Sequence, residues 1–211
     1  TGPIASAHAA AVARQTLGRP AQRMGVEASG NIIKNVKSVF VPNAGGLRGI
    51  PAAAAAGMAA GDPALELEVL SSIGEGEQAA IRQYLADTPI AVKLADSPFI
   101  FDIAIRAWAG EDSALVRIVN YHTNIVRVEK NGQVPKEVEA QAAAEEGPTD
   151  KSVLTVEGIL EFAREAALAD VEDAVGRQVR YNTAIAQEGL RGDYGANIGK
   201  VLLATYGDDV K

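Results

Sequence analysis

The chain has 211 residues, 47% of them apolar and 22% charged, enough to bury a core as one large domain or two small ones. A formal charge of -7 argues against nucleic acid and anionic membrane as partners, because such affinity comes largely from Lys and Arg displacing condensed counterions. Cysteine is absent and the only histidines are His8 and His122, which excludes disulfides and thiolate chemistry and leaves too few imidazoles for a zinc site without carboxylate help.

Pro3 to Leu17 is rich in alanine, with proline near its start and Gly18 past its end, the asymmetry of a capped helix. Val36 to Val41 is mostly β-branched or aromatic and predicts a strand, followed by a turn at Asn43 to Gly46. Ile50 to Gly61 has small side chains that let another backbone approach. Asp62-Pro63 then fits the cap and first residue of a new helix, expected to run to about Leu85. The Ile50 to Ala60 run is interrupted by Gly57 and falls short of the roughly 20 residues that cross a bilayer.

From Pro89 the period changes. Phe101, Ile103, Ile105 and Ala107 alternate with Asp102, Ala104, Arg106 and Trp108, as in a sheet with unequal faces. Further strand runs cover Ala114 to Asn120 and Asn124 to Lys130, and Asn131-Gly132 is a hairpin signal, so an antiparallel meander is expected. Lys136 to Asp150 holds no lasting apolar period and reads as a linker. Beyond it Thr155 can cap a helix with Ile159, Leu160 and Phe162 on its apolar face. A second helix carries Val171, Val175 and Val179, with Asn182 continuing that stripe. The expected architecture is α+β: an antiparallel meander packed with Ala-rich helices over residues 1–135, a linker over 136–150, and a helical hairpin over 151–211 packing on the first domain.

Several short segments resemble one family in order. Thr1-Gly2-Pro3-Ile4 before an Ala-rich helix is similar to the Thr-Glu-Pro-Ile segment that follows a Gly-Cys pair in L-cysteine desulfidases and their relatives. Asn31-Ile32-Ile33-Lys34-Asn35, Val39 to Pro42, Gly45-Gly46 and Gly49-Ile50 resemble its Asn-x-x-Lys-Asn, Val-Pro and Gly-rich loop. His122-Thr123-Asn124-Ile125-Val126 resembles its Gly-His-Thr-Asn-Ile-Val run, with Asn120-Tyr121 where two glycines are usual. Asn182 with Gln187-Glu188-Gly189-Leu190, then Gly195 and Ile198-Gly199, resembles a later segment. The chain is thus similar to the N-terminal half of the iron-sulfur-dependent L-serine dehydratase alpha-like and L-cysteine desulfidase family.

That resemblance implies β-elimination of L-serine or L-cysteine to pyruvate and ammonia, with an iron-sulfur cluster held by a C-terminal half or companion subunit and none bound by this chain. It implies a small amino-acid substrate, and a homo-oligomer is compatible with it. The N-terminus shows no basic region followed by an apolar run and a small-residue cleavage site, so a cytoplasmic chain is expected, and a start at Thr1 without methionine leads us to expect a fragment. His122 is the candidate acid or base, since an imidazole titrates near neutrality. Thr1, Asn35, Thr123, Asn124, Asn182 and Glu188 are the candidate substrate contacts, most of them neutral groups that bind without stranding a buried charge. The competing roles are structural: a backbone bond for His122, solvation for Glu188, a turn amide for Asn35 and a helix contact for Asn182. Lys34 reads as an exposed strand lysine and His8 as a packed imidazole without a role. The alternatives are a non-catalytic module binding a small amino acid and an N-terminal nucleophile hydrolase using Thr1.

Overall fold

The computed structural model describes residues 2–139 and 152–207. The chain divides into two compact units, Thr1–Glu145 and Glu146–Lys211. The first is a six-stranded sheet with helices packed on one face.

Helix α1 (Gly2–Leu17) is almost wholly buried, and its alanines serve two surfaces at once. Ala5, Ala9, Ala10 and Ala13 pack against Met24, Val26, Ile103, Ile105, Val116 and Ile118 of the sheet. Ala7 and Ala11 pack against α3 (Gly49–Ala60), through Ala52, Ala53 and Ala56. The two backbones approach so closely that a Cβ at Gly57 would lie 2.6 Å from the carbonyl carbon of Ala7. Arg14 closes the far end of α3: its guanidinium donates to the carbonyls of Ala59 at 2.9 Å and Gly61 at 2.6 Å, oxygens that the helix end leaves without partners.

The sheet runs β2-β1-β3-β4-β5-β6. Strands β3 (Asp102–Ala109), β4 (Asp112–Val119), β5 (Ile125–Lys130) and β6 (Gln133–Glu137) form the expected antiparallel meander. Strands β1 (Arg23–Ala28) and β2 (Ile90–Leu94), which were not expected, extend it; β1 pairs antiparallel with β3 and parallel with β2. The strand β6 runs into residues expected to be linker, and 140–150 lie outside the described residues.

Two expectations are corrected. Val36 to Val41 is not a strand: Gly30–Val36 forms α2, because Ile32 and Val36 sit one helical turn apart and both enter the core, leaving only an isolated bridge between Phe40 and Arg48. The helix expected from Pro63 to Leu85 is broken. Asp62 caps it as anticipated, accepting from the Ala64 amide at 3.0 Å, but the first turn is 3-10 (Pro63–Glu68) and Glu66 takes φ of 47°. A separate helix, α4, then spans Glu75–Asp87.

The second unit contains α5 (Val156–Glu165), α6 (Leu168–Arg191) and a third helix beyond the expected hairpin, α7 (Ile198–Tyr206). Thr155 caps α5 as expected, its hydroxyl accepting from the Gly158 amide at 3.0 Å. None of its described residues is buried, and Ile159, Leu160, Phe162, Val175, Val179 and Leu203 stand exposed. Such amphipathic helices gain stability mainly by packing an apolar face.

Candidate functional site

Two of the resemblance-bearing segments of the first unit lie against α1. A Cβ on Gly2 would collide with the Val36 side chain, so the start of α1 abuts the end of α2. From α1, the imidazole of His8 reaches the backbone of His122 in the β4–β5 turn. That turn is built by its own polar groups: Asn120 takes φ of 65°, and the Asn124 side-chain amide donates to the Val119 carbonyl at 2.9 Å. Asn124 is therefore partly committed to shaping the turn, with its side-chain oxygen left to accept from a ligand.

His122 is half-buried with its ring 4.5 Å from that of Phe101, and burial lowers its pKa. The neutral imidazole, able to accept a proton, is the dominant form at neutral pH. Thr123 is half-buried beside it, and its carbonyl accepts from the Ile125 amide at 3.0 Å. Asn35 is exposed on α2 and donates to the Asn31 side chain at 3.2 Å, one turn away, so it belongs to a helix and not to a strand end. Lys34 is likewise on this helix, exposed.

His8 is 4% exposed, and its Nδ1 has no hydrogen-bond partner among the described residues. Burial lowers its pKa, against the opposing pull of the Glu66 carboxylate and the His122 backbone. An uncharged buried ring touching the turn that carries His122 was not legible from a histidine among alanines.

In the second unit, Asn182 is exposed midway along α6. Glu188 accepts from the Tyr194 hydroxyl at 2.7 Å and from Arg191, and these two hydrogen bonds hold its carboxyl below the ordinary glutamate range. Its bonds are thus made within its own unit. Thr1 lies outside the described residues.

The opposite face of the sheet holds a second polar assembly. Asp102, 2% exposed, accepts from Arg117 at 2.6 and 3.0 Å and from the Ser97 hydroxyl. Glu129 is bound by Arg106 at 3.2 Å and Arg127 at 3.1 Å; burial works against its charge, and the two guanidiniums overcome this and hold its pKa down.

Along its whole length the chain is 47% identical to a UPF0597 protein of Desulfitobacterium hafniense, covering 49% of it, and 44% identical to one of Lachnoclostridium phytofermentans, covering 50%. Over 207 residues it is 37% identical to a UPF0597 protein of Treponema denticola, covering 47%. The chain spans about half the length of these relatives. No protein-family profile and no solved structure matches it.

Proposed function

We propose that the chain is the N-terminal half of an amino-acid β-eliminating lyase that converts L-serine to pyruvate and ammonia, or L-cysteine and water to pyruvate, ammonia and hydrogen sulfide. The observation that carries this reading is that α1 touches both the end of α2, at Gly2, and the His122 turn, through His8, and that the start of α1, α2 and that turn bear the family-like motifs. Neutral His122 would take up a proton, while Thr123, Asn124 and Asn35 would meet the carboxylate and ammonium of the substrate. Thr1, Asn182 and Glu188 remain further candidates for those contacts.

An iron-sulfur cluster does not fit the residues present. The chain has no cysteine, and the described residues contain no group of three or more His, Asp or Glu side chains that could hold a metal. The cluster belongs, in this reading, to the other half of the enzyme. The uncovered apolar faces of α5 to α7 and the doubled length of the relatives both favour such a second half. No described helix is long and apolar enough to cross a membrane, and the proposal places the enzyme in the cytoplasm.

The test is co-production with the remaining half of the Desulfitobacterium hafniense relative under anaerobic, iron-replete conditions. Pyruvate formed from L-serine or L-cysteine only when both halves are present, and at least tenfold less with His122→Gln, is the expected result. A pair that co-purifies, holds iron and yields no pyruvate refutes the reading; if it still binds the amino acid calorimetrically, the chain is a binding module instead.

A further inference from the structure

We propose that the open face of the sheet carries a binding site for a small organic anion with a flat apolar body, seated beside Trp108 and held by Arg23, Lys93 and Arg106. The site lies on the opposite sheet face from α1 and does not depend on the lyase reading.

Strand register builds the site. With side chains alternating between faces, Arg23, Gly25 and Glu27 of β1 all point away from α1. Gly25 pairs with Ala91 on one side and Arg106 on the other, and Arg106 pairs with Leu115. This row has almost no side chain at Ala91 and Gly25. The row on one side holds Arg23 opposite Trp108, and the row on the other holds Lys93 opposite Glu27, which in turn faces Ala104. Tall residues thus flank a floor of small ones, and the sheet surface becomes a trough of about 330 Å³, the size of a small-molecule site.

Gly25 has no conformational need to be glycine, since it is not among the residues with positive φ. Glycine within a strand weakens it, and often marks close approach by a ligand or another backbone. Here the missing side chain lets the edge of the Trp108 ring lie close over the strand: a Cβ at Gly25 would stand 3.6 Å from that ring, in ordinary contact.

The charge of the lining runs against that of the molecule. A chain with net charge -7 gathers three cations and one carboxylate around this trough. Arg106 is shared with Glu129, whereas Arg23 and Lys93 form no ion pair among the described residues. Arg23 lies over the Trp108 ring at 4.1 Å, which fixes the guanidinium plane and leaves its edge to donate to an oxyanion. An anionic head at these cations and a flat body along Trp108 and Leu115 satisfy both halves of the lining.

Trp108 is the only tryptophan in the chain, so its fluorescence reports on this site directly. The protein is titrated with benzoate, phenyl phosphate, inorganic phosphate and benzyl alcohol. Expected is a saturable emission change with benzoate or phenyl phosphate, and binding at least tenfold weaker for inorganic phosphate, which lacks the body, and for benzyl alcohol, which lacks the charge. Lys93→Met, on an exposed strand position, weakens binding about tenfold, the loss of one charge-assisted contact. Gly25→Val fills the trough with a residue that strands favour and abolishes the response. The proposal is overturned if neither aromatic anion saturates below about 20 mM, about twentyfold weaker than the 1 mM that corresponds to about -4 kcal/mol. It is equally overturned if Lys93→Met, with an unchanged urea transition, binds as the parent does.

Discussion

Replacing Gly57 by Ala drives a methyl group into the backbone of Ala7, where the new carbon would lie 2.6 Å from the carbonyl carbon and 2.7 Å from Cα. Ordinary contact begins near 3.4 Å and the Ala7 carbonyl oxygen lies nearer still, so α1 and α3 must separate by more than about 1 Å or the helices must bend. No flexible side chain can absorb the shift, because the obstacle is main chain. Overpacking of a tight core costs about 1–3 kcal/mol, and this position belongs at the top of that range. Gly→Ala within a helix returns about 1 kcal/mol, which leaves a net loss of about 2 kcal/mol. With a urea m value of about 2 kcal/mol/M for a unit of this size, the midpoint falls by about 1 M. Trp108 fluorescence follows the transition in the first unit. Gly76→Ala is the matched control, since nothing lies within 4 Å of the added carbon there and the helical gain stands alone. A Gly57→Ala midpoint at or above that of the parent refutes the close-approach argument.

Two other variants probe buried ionisable groups. The His8 pKa is lowered in the fold by burial, so the unfolded chain binds the proton more readily; the neutral ring's contribution is complete above about pH 6.5 and declines as pH falls below it. His8→Leu removes that decline, so urea midpoints at neutral pH and near pH 5.5 differ less in the variant than in the parent, and equal differences would refute the assignment. Arg117→Met strands the Asp102 carboxylate with only Ser97 to meet it, at a cost of about 2–3 kcal/mol, below the roughly 3–5 kcal/mol of a fully buried pair because Arg117 is 35% exposed. The double variant with Asp102→Leu recovers much of the loss in thermal unfolding; a double variant no more stable than the single one contradicts the stranded-charge account.

The meander was legible because Phe101 to Trp108 alternates cleanly and Asn131-Gly132 turns the chain, both local signals. The strand β1 carries the same alternation, with Met24, Val26 and Ala28 buried against exposed Arg23 and Glu27. Its partners lie far along the chain at β2 and β3, and Gly25 lowers its strand propensity, so neighbouring sequence offered no support. Val36 to Val41 erred the other way: β-branched residues suggested a strand, and core burial of Ile32 and Val36 favoured a helical turn. At the site, motif order pointed to Asn35 and His122, yet the contact of His8 with the His122 backbone depends on tertiary packing. The trough at Gly25 depends on register across four strands, which no single stretch encodes.

The position of β1 between two strands that come much later in the chain has a consequence for biosynthesis. Residues 23–28 leave the ribosome before 90–94 and 102–109 exist to receive them, so the amino-terminal helices wait without a platform. The hairpins from β3 to β6 can close as soon as they are made, whereas seating β1 requires bridging a long loop. The sheet is therefore complete only once β1 is seated between β2 and β3, whereas α1 rests mainly on β3 and β4.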